Sequence, residues 1–247
     1  MSASADQGAG RGDEWAVEGL HLAGPERRTP VGTAPVPFGG VVLTGGLSTR
    51  MGVDKAFLVP EDGGPMLAER ARRALVDAGA REVLAVGGDR RRLAALGFVT
   101  VPDRIPGRGP LGGLITGLRS ATFDVAVVLS CDLPAIDADT VTELVRCLAR
   151  RPDAGAALPS FDGHCQVLVG AYRRRVAAVA LEAAFAAGER SIRRAVSSLV
   201  IAPVPTVARA PLIDVDRPED LDHYARSRRA SMSGHPSPRP AWEPDDG

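Results

Sequence analysis

The chain has 247 residues, 45% of them apolar and 4% aromatic, which suits one globular domain of about 190 residues with enough length to bury a core. Lysine plus arginine balance aspartate plus glutamate at 30 each, so no global basic field draws the protein to nucleic acid. No apolar run approaches the roughly 20 residues that span a bilayer, which leaves small-molecule chemistry as the expectation.

The three cysteines, Cys131, Cys147 and Cys165, form no C-x-x-C pair, which argues against a disulfide framework or a structural zinc site. A reducing cytoplasm fits, and the first residues lack the charged start and apolar core of a secretory signal. Residues 1–37 and 231–247 are rich in Gly, Ala, Pro and charge without periodicity. Both are expected to be disordered tails, with a docking role as the alternative, around a domain at 38–230.

In chain order, residues 39–44 (GGVVLT) predict a short strand, and apolar positions at helical spacing predict a helix over 65–80. A strand over 81–88, a short helix over 90–97, a strand over 98–103, a helix over 111–121 and a strand over 124–132 follow. Residues 138–150 place Val141, Leu144, Val145 and Leu148 on one helical face. Strands over 154–160 and 165–173 come next, then helices over 175–187 and from Ser191, a strand near 199–204 and a helix from Pro218 to about 229. Strands alternating with helices predict an α/β fold with three αβα layers around a mostly parallel sheet.

Three segments at expected strand ends carry chemistry. In VVLTGGLSTRMGVDK (41–55), Gly45 and Gly46 allow backbone to approach anionic oxygens, and Arg50 and Lys55 supply charge for phosphates. A glycine turn with solvated cations is the plain alternative. A Walker A loop does not fit, because Lys55 follows no glycine and Ala56 stands where Ser or Thr is needed. In SCDLP (130–134), Asp132 at a strand lip can hold magnesium, which takes one or two protein carboxylates plus substrate oxygens. The alternative, a helix cap, suits Asp137 and Asp139 better. In VPDRIPGRGPLGGLITGL (101–118), three glycines inside one expected helix cost about 1 kcal/mol each relative to alanine, so something approaches that backbone closely: a nucleotide, or the sheet itself.

LTGGLSTRMGVDKA resembles the signature of the MobA-like nucleotidyltransferases, which runs L-A-G-G, a short loop, R-M-G and then D-K-A or D-K-G. SCDLP, GRGPLGGLITGL and DVDRPEDL follow in the family's order over roughly residues 38–228, and the Asp-Lys pair with GPLGG is most similar to the molybdenum cofactor guanylyltransferases. The resemblance implies a Rossmann-like nucleotidyltransferase fold that binds GTP, a molybdopterin-type acceptor and Mg2+, with molybdoenzyme maturation proteins as further partners. It implies that Leu43, Thr44, Gly45 and Gly46 line the nucleotide, that Arg50 and Lys55 meet the triphosphate, and that Asp103 contacts the nucleotide. Asp132 would share the metal with Asp216 or Asp214.

The chain departs from that pattern in places. Asp214-Val215-Asp216-Arg217-Pro218 stands where the guanylyltransferases show N-x-N-T-P, a change that resembles cytidylyltransferases and leaves CTP as the alternative donor. Thr44 replaces an alanine, the strand end at 85–89 (AVGGD) lacks an asparagine found near guanine, and Val167 replaces a common proline. His164 and Cys165 either touch a pterin or form a surface turn. Sugar-phosphate nucleotidyl transfer and a non-catalytic nucleotide-binding module are the other readings.

Overall fold

The computed structural model describes residues 21–22, 36–45, 54–60, 63–161, 164–204, 212, 214–215, 220 and 224. The chain alternates as expected. After β1 (His21–Leu22), β2 (Phe38–Leu43) leads through a 3-10 turn (Lys55–Phe57) to α1 (Leu67–Asp77) and β3 (Val83–Val86). Then come α2 (Arg90–Ala95), β4 (Val99–Val101), α3 (Pro110–Ser120), β5 (Val125–Ser130) and α4 (Ala138–Arg150). The second half adds β6 (Ala156–Phe161), β7 (His164–Cys165), β8 (Val169–Arg173), α5 (Arg174–Ala186), α6 (Ile192–Val196) and β9 (Val200–Val204). Local chemistry sets several starts: the Asp89, Asp137 and Ser191 side chains accept from Arg91 and Arg92, Thr140, and Arg194 amides, capping α2, α4 and α6.

One sheet runs β1-β9-β6-β8-β5-β2-β3-β4, with β7 paired to β6. Neighbours along that path are parallel except at β8, which is antiparallel to both β5 and β6. Side chains alternate between two cores. Phe38, Val42, Val127 and Leu129 face one side with Ala71, Leu75, Leu144 and Leu148 of α1 and α4. Val41, Leu43, Ala126 and Val128 face the other with Leu114, Leu118, Leu181 and Val196 of α3, α5 and α6. The result is the three-layer αβα arrangement expected from the alternation.

Three expectations change. Residues 165–173 do not form one strand: Gln166 N–H donates to Pro159 O at 2.9 Å and Val169 N–H to Gln166 O at 3.1 Å, so the chain turns between β7 and β8. Cys165 therefore lies in the core, 5% exposed, instead of in a surface turn, and burial pushes its thiol up although Arg193 opposes the shift. Inside the expected N-terminal tail, His21 and Leu22 pair in parallel with Val200 and Ile201 on the β9 edge. Of the expected last helix, Asp220 and Tyr224 are helical. The remainder of that helix and both outer tails lie outside the described residues.

The α3 glycines answer largely to packing. A Cβ on Gly117 would sit 2.5 Å from Val41 Cγ1, and one on Gly112 would sit 2.9 Å from Ile105 O. At Gly117 the helix thus approaches the sheet, and at Gly112 the preceding loop, more closely than a side chain allows. Gly117→Ala is expected to destabilise the fold by about 1–3 kcal/mol through overpacking. Urea denaturation reads that loss; unchanged stability would mean that α3 shifts freely away from β2.

Candidate active site

The carboxyl ends of β2 and β5 lie side by side, since Leu43 pairs with Ser130. From β2 the chain moves outward through β3 and β4 and returns through α3 to β5 on the opposite flank of β2. That reversal is the topological switch point where open α/β sheets bind ligands. The turn after β2 and the SCDLP turn both emerge there, held together by Cys131 N–H donating to Leu43 O at 3.3 Å.

Lys55 and Asp132 meet at this crevice. Lys55 Nζ lies 3.6 Å from Asp132 Oδ2, with side chains only 16% and 17% exposed. The 3-10 turn that carries Lys55 is anchored on three sides. Asp54 Oδ1 accepts from Ala56 N at 3.1 Å, Ala56 is fully buried, and the Arg92 guanidinium stacks 3.6 Å from the Phe57 ring centre. The Asp-Lys pair is thus a cap followed by the charge that the cap positions. Asp132 is oriented by the Ser130 hydroxyl, which donates to its Oδ1. Cys131 sits beneath them. Burial pushes its thiol well up, the Asp132 and Asp54 carboxylates push it further, and Lys55 opposes. This cysteine stays a protonated core residue and is no nucleophile.

The glycine turn is built differently from the sequence expectation. Thr44 and Gly45 N–H groups both donate to Val86 O, at 3.1 and 3.0 Å, so neither amide is directed at a phosphate. The Thr44 side chain is 5% exposed, with its hydroxyl 3.1 Å from both Val86 O and Gly87 O. Gly45 packs backbone to backbone on Gly87, where a Cβ would sit 2.7 Å from Gly45 Cα at a φ of 78°. The glycine at 45 therefore admits the β3 turn. Leu43 is 8% exposed in the core below. The Thr44 and Gly45 amides are thus spent on β3 and not on a phosphate cradle; Gly46 and Arg50 lie outside the described residues.

Asp103 closes the loop from β4 to α3. Its Oδ1 accepts from Ile105 N at 2.9 Å and from the buried Thr116 hydroxyl at 3.1 Å. The partly buried carboxylate thus has a structural duty, and among the described residues Oδ2 makes no hydrogen bond. The acidic segment near the C-terminus comes to Asp132 through the backbone, as Val215 N–H donates to Asp132 O at 2.9 Å. Asp214 is exposed beside that bond, and Asp216 lies outside the described residues. The sequence reading missed the Gly87-Gly88 turn, the Ser130 donor and the Val215 tether. Two glycines directly after β3 were the available signal for the first.

The sequence matches the MobA-like NTP transferase domain over residues 40–201. A Chloroflexus aggregans protein named "Probable molybdenum cofactor guanylyltransferase" is 37% identical over 195 residues, covering 74% of this chain and 90% of the relative. The crystal structure of molybdopterin-guanine dinucleotide biosynthesis protein A from Archaeoglobus fulgidus superimposes with a TM-score of 0.62 at 22% identity, covering 78% of this chain and 98% of that one. The 2-C-methyl-D-erythritol 4-phosphate cytidylyltransferase of Thermus thermophilus shares the fold too, with a TM-score of 0.59 at 20% identity over 76% of this chain and 98% of that one. Among the described residues no helix is long and apolar enough to cross a membrane. With the switch-point geometry, the family match and the shared fold in agreement, the chain belongs to the MobA-like NTP transferase family and is a nucleotidyltransferase.

Proposed function

We propose that this enzyme transfers GMP from GTP to the terminal phosphate of molybdenum-bearing molybdopterin, releasing pyrophosphate with magnesium bound, in the cytoplasm. The observation that carries the reading is the Lys55–Asp132 pair, 3.6 Å apart at the switch point of the sheet. The name of the Chloroflexus aggregans relative supports the choice of donor and acceptor. Molybdoenzyme maturation proteins are the partners such a product implies.

The donor set suits magnesium. It is made of carboxylate oxygens, hard ligands of the kind that magnesium takes. Magnesium is satisfied by one or two protein carboxylates and completes its shell with phosphate and water. Asp132, with Asp214 or Asp216, would hold it. When bound, magnesium supplies neutralisation of the triphosphate oxygens.

The acceptor phosphate is largely dianionic near neutral pH, so it attacks the α-phosphorus in line without a general base. The bond to the β-phosphate breaks, and pyrophosphate leaves with the electron pair. Lys55 stabilises the charge that develops on the leaving group, and Arg50 is assigned beside it. In the same reading Leu43, Thr44 and Gly45 support the nucleotide side of the crevice by packing and not by amides on phosphate, while Gly46 and Asp103, the latter kept in place by Thr116, contact the nucleotide.

CTP is the second reading, favoured by Asp214 and Asp216 in place of the asparagines of the guanylyltransferase pattern. Pyrophosphate release, measured with magnesium, each of GTP, CTP, ATP and UTP, and molybdate-loaded molybdopterin, decides between them. Turnover with GTP is expected. A clear CTP preference moves the assignment to a cytidylyltransferase, activity only with a sugar phosphate overturns both, and binding without turnover on any acceptor leaves a nucleotide-binding module.

A further inference from the structure

The SCDLP turn is gripped from outside the site. Pro134 is buried and has no N–H, so its carbonyl is the only backbone polar group by which that residue can be fixed. Two side chains take it. Arg70 Nη1 of α1 donates to Pro134 O at 3.1 Å, and the Tyr224 hydroxyl donates to the same oxygen at 3.0 Å. Arg70 Nη1 also donates to the Tyr224 oxygen at 2.9 Å, and Arg70 Nε donates to Pro65 O at 3.0 Å. One guanidinium thus ties the entrance of α1, the turn after Asp132 and the C-terminal helical segment into a single network. Its charge-assisted bonds are stronger than neutral ones.

Tyr224 follows the acidic segment whose Val215 N–H is bonded to Asp132 O. The C-terminal segment is therefore attached to the SCDLP turn at two points, Val215 to Asp132 and Tyr224 to Pro134. Both contacts fall on the short turn that carries Asp132. The first of these contacts brings the exposed Asp214, the neighbour of Val215, to the Asp132 turn. The Arg70 head group completes the second one.

We infer that Arg70 and Tyr224 are positioning residues: they hold the Asp132 turn and the Asp214–Val215 segment in register, so that the two acidic elements can share one divalent cation. The inference rests on the metal site proposed above. Outer partners that orient metal ligands typically change metal affinity 10-fold to 100-fold, and an effect of that kind separates positioning from general stability.

The test is a titration of Mn2+, followed by its free-ion electron paramagnetic resonance signal, into the full chain with the α,β-methylene analogue of GTP. Tyr224→Phe keeps the ring and removes the bond to Pro134; Arg70→Lys keeps the charge and loses the fork that reaches Pro65 and Pro134 together. Each is expected to weaken Mn2+ binding about 10-fold. Analogue affinity in EDTA should stay within about 2-fold of wild type, because the tethers do not touch the nucleotide. Arg70→Lys and Tyr224→Phe proteins that bind Mn2+ as tightly as wild type, while Asp132→Asn does not, overturn the positioning role alone. Mn2+ binding in wild type that Asp132→Asn leaves intact overturns the metal site and this inference with it. Equal losses of Mn2+ and EDTA-state nucleotide affinity mark a general structural role and overturn the inference as well.

Discussion

Lys55→Ala is expected to lower kcat about 30-fold to 1000-fold, the equivalent of roughly 2–4 kcal/mol of lost stabilisation of a developing anion. The local frame should survive truncation. Asp54 caps the turn through Ala56 N, Ala56 is fully buried and Phe57 is stacked by Arg92, and none of these contacts uses the ammonium. A smaller cost falls on folding, because Asp132 loses its partner. The two groups are 3.6 Å apart and 16% and 17% exposed, so about 1 kcal/mol is a reasonable size. Steady-state rates at saturating GTP and magnesium, beside a urea denaturation curve, separate the two effects. A folded Lys55→Ala protein with wild-type turnover would remove Lys55 from the chemistry.

Asp132→Asn is expected to be at least as severe, about 100-fold or more in turnover at millimolar magnesium, recovering in part as magnesium rises. An asparagine keeps the size of the side chain. Its carbonyl can still accept from the Ser130 hydroxyl, and the backbone oxygen that accepts from Val215 is unchanged. What disappears is the negative charge. Without metal, that charge repels a triphosphate, so nucleotide affinity in EDTA should hold or rise slightly while metal-dependent turnover falls. Asp216→Asn restores the residue of the guanylyltransferase pattern and is expected to retain appreciable activity with a higher magnesium requirement. Magnesium titrations of the two variants at saturating nucleotide provide the comparison. If Asp132→Asn tracks wild type at every concentration, Asp132 is not the ligand.

The order of elements was legible in the sequence because it rests on short-range chemistry. Continuous apolar runs marked β2 and β5, helical spacing marked α1 and α4, and Asp137 and Ser191 marked the helix starts that their side chains cap. The motifs that carry Lys55 and Asp132 were legible too, as segments following two apolar strands, but that the two side chains meet at one crevice came from the fold. Tertiary structure decided what each neighbour is. Gly45 is matched to Gly87, Gly117 to Val41 and Gly112 to Ile105, so glycines that suited a ligand in sequence serve close packing in space. Asp103 is bound to Thr116, Cys165 is folded into the core by the turn before β8, and β1 is added to an edge by pairing with β9. The tether from Val215 to Asp132 and the grip of Arg70 and Tyr224 on Pro134 join segments far apart along the chain. Such pairings depend on strand order and on which surfaces meet after collapse; local propensity and spacing carry no record of them.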